Sequence, residues 1–212
     1  MEILKVEKND KNEIIEISKK SFEWDDYIGQ VFDYWLDNGL FIKAVEKDEI
    51  LGFMHLRFYN TFTWFEGLRV NEKYKKHGVG SELTKKAIEL SGNRKNRLII
   101  LETNIPSIKL SEKFKFVEID RIYYKYGEKV SFNELVEKYK LKKSFKKLNE
   151  FYLDTWVYFD PEYYDRHIYE NDSGLKTLET DPPFILNGYI VEENVSKNKE
   201  DECFIVYERK SP

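Results

Sequence analysis

Val70-Asn71-Glu72-Lys73-Tyr74-Lys75-Lys76-His77-Gly78-Val79-Gly80-Ser81-Glu82-Leu83 reads as the end of a strand, a short basic turn, two glycines and the start of an amphipathic helix. A strand–turn–helix of this kind leaves the first backbone N–H groups of the helix without intrahelical partners, at the positive end of its dipole. Such a point suits a phosphate or pyrophosphate. Gly78 and Gly80 permit close approach, because neither carries a Cβ to hold a ligand away. Two familiar phosphate loops are disfavoured by spacing. A P-loop needs a lysine directly after its second glycine, and Ser81 stands there. A dinucleotide fingerprint needs a third glycine where Leu83 stands, although Glu102 lies near the expected acidic spacing.

Outward from this loop the chain alternates between strand and helix patterns. Glu2–Glu7 reads as a strand and Lys11–Lys20 as a helix with Ile14, Ile15 and Ile17 inward. Asp25 or Asp26 is placed to cap a second helix through Asp37, with Tyr27, Val31, Phe32 and Trp35 at helical spacing. Residues 40–46 and 50–59 read as a hairpin around Lys47-Asp48, and Thr63–Val70 as a fourth strand. After Gly80 comes a helix carrying Leu83, Ala87, Ile88 and Leu90, then a buried strand at Leu98–Thr103. A short helix at Ser107–Phe114 and a sixth strand at Phe116–Tyr126 complete this part.

From about Gly127 the composition changes. Ser131-Phe132-Asn133-Glu134 is a capping-box signal for a helix toward Tyr139. The lysines of 138–147, interleaved with Tyr139 and Phe145, could touch RNA or an acidic partner, but in a chain of net negative charge they read first as a solvated helix face. Residues 150–159 read as one strand with alternating aromatics, and Tyr158, Phe159, Tyr163, Tyr164 and Tyr169 as packing. Asp181-Pro182-Pro183 marks a turn. Residues 185–192 and 203–209 read as closing strands around a charged loop at 193–202.

Composition bounds the function. The 212 residues carry 35 Lys and Arg against 39 Asp and Glu, a net charge of −4, which argues against a general polyanion binder and predicts no nucleic-acid partner. A single cysteine, Cys203, permits no internal disulfide and suits a reducing, cytoplasmic setting. No signal pattern and no long apolar run are seen, so no membrane partner is expected. One glutamine among abundant Lys, Glu and Ile suits a thermophile or an AT-rich genome. His55, His77, His167 and Cys203 have no metal-ligand spacing, so no metal is expected. The absence of G-x-S-x-G disfavours a serine hydrolase.

Lys75-Lys76-His77-Gly78-Val79-Gly80 resembles the acyl-CoA loop Gln/Arg-x-x-Gly-x-Gly/Ala of the Gcn5-related N-acetyltransferase (GNAT) superfamily, with Lys75 in the Gln/Arg place. The resemblance extends on both sides. Phe65-Glu66-Gly67-Leu68-Arg69-Val70 looks like the family's fourth strand. Asn104-Ile105-Pro106-Ser107-Ile108-Lys109-Leu110-Ser111-Glu112-Lys113-Phe114-Lys115-Phe116 resembles its N-x-x-A-x-x-L-Y-x-x-x-G-F block. Glu72, Ser107 and Lys115 depart from the usual proline, alanine and glycine. Ser111 stands where the family usually carries a tyrosine that protonates the departing CoA thiolate, and a serine hydroxyl is shorter and less acidic.

The resemblance implies an α/β fold: a mixed, mostly antiparallel sheet with helices on both faces, here with an α+β C-terminal extension. Residues 1–126 would form the acyl-CoA-binding catalytic domain, and residues 127–212 an extension that could cover the acceptor site. Acetyl-CoA would be the co-substrate. It would be held by Leu68, Arg69 and Val70, by Lys75, Lys76, His77, Gly78, Val79, Gly80 and Ser81, and by Asn104. Glu66 and Glu102 are the catalytic candidates, since an amine near the lysine pKa is protonated at neutral pH and needs a base. Asn104 also suits a helix N-cap before Pro106, and Glu102 suits an ion pair with Arg97 or Arg121.

Residues 26–36 together with 66–70 look like a subgroup containing histidine N-acetyltransferase. That resemblance implies a small-molecule amine acceptor, such as an amino acid. Separately, a homodimer is left open as the assembly. A protein N-terminal or lysine acetyltransferase and a non-catalytic acyl-CoA sensor are the open alternatives.

Overall fold

The computed structural model describes residues 1–21, 26–127, 131–181, 183–185, 189–193 and 202–210. Its elements are β1 (Glu2–Lys5), α1 (Lys11–Lys19), α2 (Ile28–Asp37), β2 (Leu40–Glu46), β3 (Glu49–Phe58) and β4 (Phe62–Val70). There follow α3 (Val79–Ser91), β5 (Lys95–Leu101), α4 (Ile105–Lys113), β6 (Val117–Gly127) and α5 (Phe132–Lys138). The remainder is β7 (Lys142–Ser144), β8 (Tyr152–Asp154), β9 (Val157–Phe159), β10 (Ile168–Glu170), β11 (Lys176–Leu178), β12 (Phe184–Ile185), β13 (Tyr189–Glu193) and β14 (Glu202–Arg209). The fold is α/β, with a mostly antiparallel sheet and helices. Two compact units interleave along the chain: one holds residues 1–98, 106–117 and 208–212, the other residues 99–105 and 118–207.

In the first unit the strand order is β1-β2-β3-β4-β5. The β2–β3 hairpin turns at Lys47-Asp48, whose φ values of 51° and 65° are those of a tight left-handed turn matched to strand twist. β3 is buried from Ile50 through Leu56, as a central strand covered on both sides must be. Its residues alternate between two helical layers. Phe53 meets Phe41, which packs on Phe32 and Trp35 of α2, and Ile14 and Ile17 of α1 join this cluster. Gly52 points the other way, where an added Cβ would lie 3.1 Å from Val79 of α3.

Arg97 is buried and donates from Nε to Glu208 Oε2 at 2.9 Å while lying over the Phe62 ring. A buried cation of this kind persists only with a partner.

Two irregularities shape β4. The β3–β4 register jumps between Phe53↔Arg69 and His55↔Glu66, so β4 carries one extra residue there: a bulge. Gly67 supplies it with φ +65° and lies against Trp35. β4 and β5 run parallel and, among the described residues, pair at Phe62↔Lys95, Thr63↔Asn96 and Trp64↔Arg97 alone.

In the second unit the order runs β14-β6-β13-β12-β11-β10-β7, with β13 parallel to β6. The Ser131 capping box forms as expected, Glu134 Oε2 accepting from Ser131 N at 2.7 Å. Residues 150–159 form a β8–β9 hairpin rather than one strand. Thr155 and Trp156 have φ values of 47° and 60°, a reversal that alternation of aromatics conceals. The 138–147 lysines do not share a helix face: α5 ends at Lys138, and Lys142 and Lys143 lie on β7. β10 and β11 were not expected, being three-residue polar strands joined by a turn in which Asn171 Oδ1 accepts from Ser173 N and Leu175 N. Tyr158 stacks on Phe151, Phe159 on Tyr152, and Tyr164 meets Tyr152 edge-on, so these aromatics pack together. Asp25, Pro182 and the loop 194–201 lie outside the described residues.

The bulge generates a prediction. A Cβ on Gly67 would sit 2.3 Å and 2.6 Å from ring carbons of Trp35, at a φ that side chains rarely adopt. Gly67→Ala is expected to cost about 2–5 kcal/mol, combining left-handed strain and overpacking. A urea melt checks this, and an unchanged midpoint would contradict it.

Candidate functional site

The loop after β4 turns through Glu72–Tyr74, where Asn71 Oδ1 accepts from Lys73 N. Lys75 is ion-paired to Glu72. Lys76 has φ +67° and Gly78 φ +85°, and Gly78 stands at the N-cap of α3 with no side-chain cap. The first N–H groups of α3 therefore lack a side-chain acceptor from the cap residue. A Cβ at Gly78 would meet nothing within 4 Å, so the space over the helix start is open. His77 is exposed, its Nδ1 3.0 Å from the Lys75 carbonyl oxygen, a contact requiring the Nδ1–H tautomer. Val79 is buried beneath the loop and anchors it. Gly80 lies where Leu68 and Val70 of β4 and Leu110 of α4 converge, all within 4 Å of a Cβ placed there. Lys113, at the end of α4, reaches across to donate to Ser81 Oγ at 3.1 Å. Its ammonium thus stands over the first turn of α3.

β4 approaches this loop. Beyond Trp64 its ladder pairing is to β3 alone among the described pairs, so the β5-side edge of residues 65–70 is released toward whatever lies beside it. Such an edge offers backbone donors and acceptors in strand geometry. The Arg69 side chain is committed elsewhere. It grips both carboxylate oxygens of Asp26 at 2.7 Å and 3.0 Å and donates to the Leu68 carbonyl. Asp26 therefore does not cap α2, whose N-cap position is Tyr27. The Arg69 side chain is thus engaged within the protein, and the residue pairs with Phe53 in the β3–β4 ladder.

Glu66 sits at the bulge with 10 % of its side chain exposed. Its Oε1 lies 2.7 Å from His55 Nδ1 and accepts from Arg57 Nε at 2.6 Å, while Oε2 accepts from Arg57 Nη2 at 3.0 Å. Desolvation works against the Arg57 charge, but Glu66 more than offsets it and holds the guanidinium above its usual range. Tyr34 covers Arg57, and burial raises the Tyr59 phenol, with Arg57 opposing. His55 is fully buried, stacked 4.5 Å from Trp35, and its Nε2 has no hydrogen-bond partner. Desolvation also raises the Tyr27 phenol, Arg69 opposing and Glu66 and Asp26 reinforcing. Three of the four acceptor positions of Glu66 are engaged, and one position on Oε2 has no partner among the described residues.

Glu102 and Asn104 fall in the second unit. Glu102 is exposed and pairs with Arg121 at 3.4 Å. Asn104 directly precedes α4, with Pro106 in the first turn. Ser111 is buried, and its hydroxyl donates to the Ser107 carbonyl within α4. Tyr123 lies on β6 and is exposed. Among the described residues no cluster of three or more His, Cys, Asp and Glu could hold a metal, and no helix could cross a membrane. His55, Arg57 and Lys113 join the site without a motif that marks them in the sequence. The first two follow from strand alternation opposite Glu66, whereas the reach of Lys113 has no local signal.

The Glu66 pairing generates a prediction. Arg57→Met leaves a nearly buried carboxylate without its main partner and is expected to lower unfolding free energy by about 3 kcal/mol. The double change Arg57→Met/Glu66→Met should recover most of that loss. Chemical denaturation of the three proteins checks it, and an undisturbed single variant would contradict it.

A model of the acetyltransferase (GNAT) family matches residues 11–116, half of the 212-residue chain. No curated protein matches the sequence. A proposed acetyltransferase from Thermoplasma acidophilum superimposes over 99 % of this chain and 100 % of its own, with a TM-score of 0.64 and 14 % identity. The ribosomal-protein-S18-alanine N-acetyltransferase of Escherichia coli matches over 57 % of this chain and 80 % of its own, with TM-score 0.52 and 16 % identity. Arabidopsis thaliana NAA60, solved with acetyl-CoA, matches over 57 % and 88 %, with TM-score 0.50 and 18 % identity. At these identities the structural likeness speaks for the fold alone.

Proposed function

The chain belongs to the GNAT acetyltransferase family, and we propose that it moves an acetyl group from acetyl-CoA to the amine of a small molecule by direct attack on the thioester. Acyl-CoA-dependent N-acetyl transfer is the family's reaction. The small-molecule acceptor and the residue roles are our reading.

The observation that carries the reading is the meeting of the released edge of β4 with the open start of α3. Both ends of a long acyl-CoA could be served there by backbone: the pantetheine arm by Leu68–Val70, and the diphosphate by Lys76–Ser81. The open space at Gly78 fits such a group. Lys75 and His77 border the loop, and Asn104 would contact pantetheine. Bound acetyl-CoA supplies the activated acyl group. The backbone N–H of Leu68 or Val70 would polarise its carbonyl, an oxyanion-type contact that strengthens as charge develops.

The remaining lone pair of Glu66 Oε2 takes the amine proton, directly or through one water, with His55 and Arg57 fixing the carboxylate's direction. Glu102 is the second candidate base. Its pairing with exposed Arg121 supports a lesser role. The Ser111 hydroxyl is spent inside α4, and thiolate departure does not depend on it: a thiol pKa of about 8.5 lets CoA leave without a strong acid.

Support for a small acceptor comes from the two stretches that resemble the histidine N-acetyltransferase subgroup. They lock together through Asp26–Arg69 and through Trp35 against Gly67. We keep residues 1–126 as the acyl-CoA-binding part and residues 127–212 as its extension.

Thiol release from acetyl-CoA, measured with free amino acids and with peptides, tests this. Turnover on free amino acids or small amines is expected, and turnover confined to peptides and proteins would overturn the acceptor class. Glu66→Gln is expected to lower kcat by about a hundredfold or more with acetyl-CoA affinity retained. An unchanged kcat would remove Glu66 as the base.

A further inference from the structure

Residues 138–147 read Lys-Tyr-Lys-Leu-Lys-Lys-Ser-Phe-Lys-Lys, with six lysines in ten positions and no acidic residue. All six lysines are exposed. Among the described residues only Lys146 has an ion-pair partner, Glu170 at 2.8 Å. The segment leaves α5 and forms β7, an edge strand paired on one side to β10. Lysines on an edge strand discourage edge-to-edge association, which accounts for Lys142 and Lys143.

It does not account for Phe145. This ring is 87 % exposed, the most exposed large hydrophobic side chain among the described residues. His167 packs against it at 5.5 Å and 82°, holding the ring in place at the end of β7. Lysine pairs flank it in sequence on both sides. The two lysines that follow it in sequence line a recess of about 320 Å³, together with Lys176, Leu148 and Ile168. Glu150 and Glu170 also line the recess, and Glu170 is neutralised by Lys146.

We infer that this face binds single-stranded nucleic acid, with Phe145 stacking on a base and the flanking lysines on phosphates. An aromatic platform within a cationic track is how strands are held without sequence preference. An anionic membrane would call for a broader apolar surface than one ring, and an acidic peptide would leave the ring without a stacking partner. The overall charge of −4 predicts no nucleic-acid partner from the sequence, but net charge says nothing of a local cationic patch. Screening over about 8 Å at physiological salt makes the local lysines decisive.

Fluorescence anisotropy of a short labelled uridine oligomer, titrated with the full chain, tests the inference. Binding is expected at low salt. Between 50 and 200 mM salt it should weaken by about a hundredfold, if about five phosphates are neutralised on a single strand. Phe145→Ala should weaken it by about tenfold, and Lys142→Glu/Lys143→Glu should abolish it. Both variants should keep acetyl transfer and melting temperature. Three results would overturn the inference: no binding at low salt, binding that Phe145→Ala leaves unchanged, or capture by phosphatidylserine vesicles without oligomer binding. Displacement of the oligomer by an equal concentration of polyglutamate would also overturn it.

Discussion

A strand can lend its backbone edge to a ligand only where its neighbour has let go of it, and β5 lets go of β4 after Trp64. Everything at the candidate site depends on that release. It frees the β5-side edge of the very residues that run into the loop and the start of α3. The bulge at Gly67 shifts the β3–β4 register within the same stretch. It also lets the backbone pass close beneath Trp35. Packing thus holds the released half of β4 in shape, since the core beneath it is built from Trp35, Phe41 and Phe53 rather than from a second ladder.

The charges around this strand are arranged in pairs with little slack. Arg69 is spent on Asp26, and Arg57 on Glu66. This separates two roles that residue type alone would confuse. The arginines are braces that join α2, β3 and β4, whereas the start of α3 carries the positive end of a helix dipole with the Lys113 ammonium above it. The same pairing makes Glu66 a directed group: His55 and Arg57 fix its carboxylate, which cannot swing freely. His55 occupies a slot against Trp35 with Nε2 unpartnered, a polar atom whose burial costs stability, while its Nδ1 lies 2.7 Å from the Glu66 carboxylate.

Much of this was legible in the sequence. The loop 75–81, the strand before it, the helix after it and the two-residue turn at Lys47-Asp48 all rest on local chemistry: glycine, capping and period. What was not legible depends on strands far apart in the chain or on dihedral angles that composition does not reveal. The partners of Glu66 come from another strand of the sheet, and Asp26 looked like a cap because its true partner is 43 residues away. The β8–β9 hairpin hid within a run of alternating aromatics, because Thr155 and Trp156 adopt positive φ without the usual Asn or Gly. β10 and β11 are too short and polar to show a period.

Calorimetric titration with acetyl-CoA tests the central claim most directly, run on the unmodified protein and on Gly78→Glu. The account predicts saturable one-to-one binding that the variant loses, because a carboxylate then occupies the open space over the start of α3. Absence of binding by the unmodified protein, or equal binding by the variant, would contradict it and reduce the two glycines to an ordinary turn.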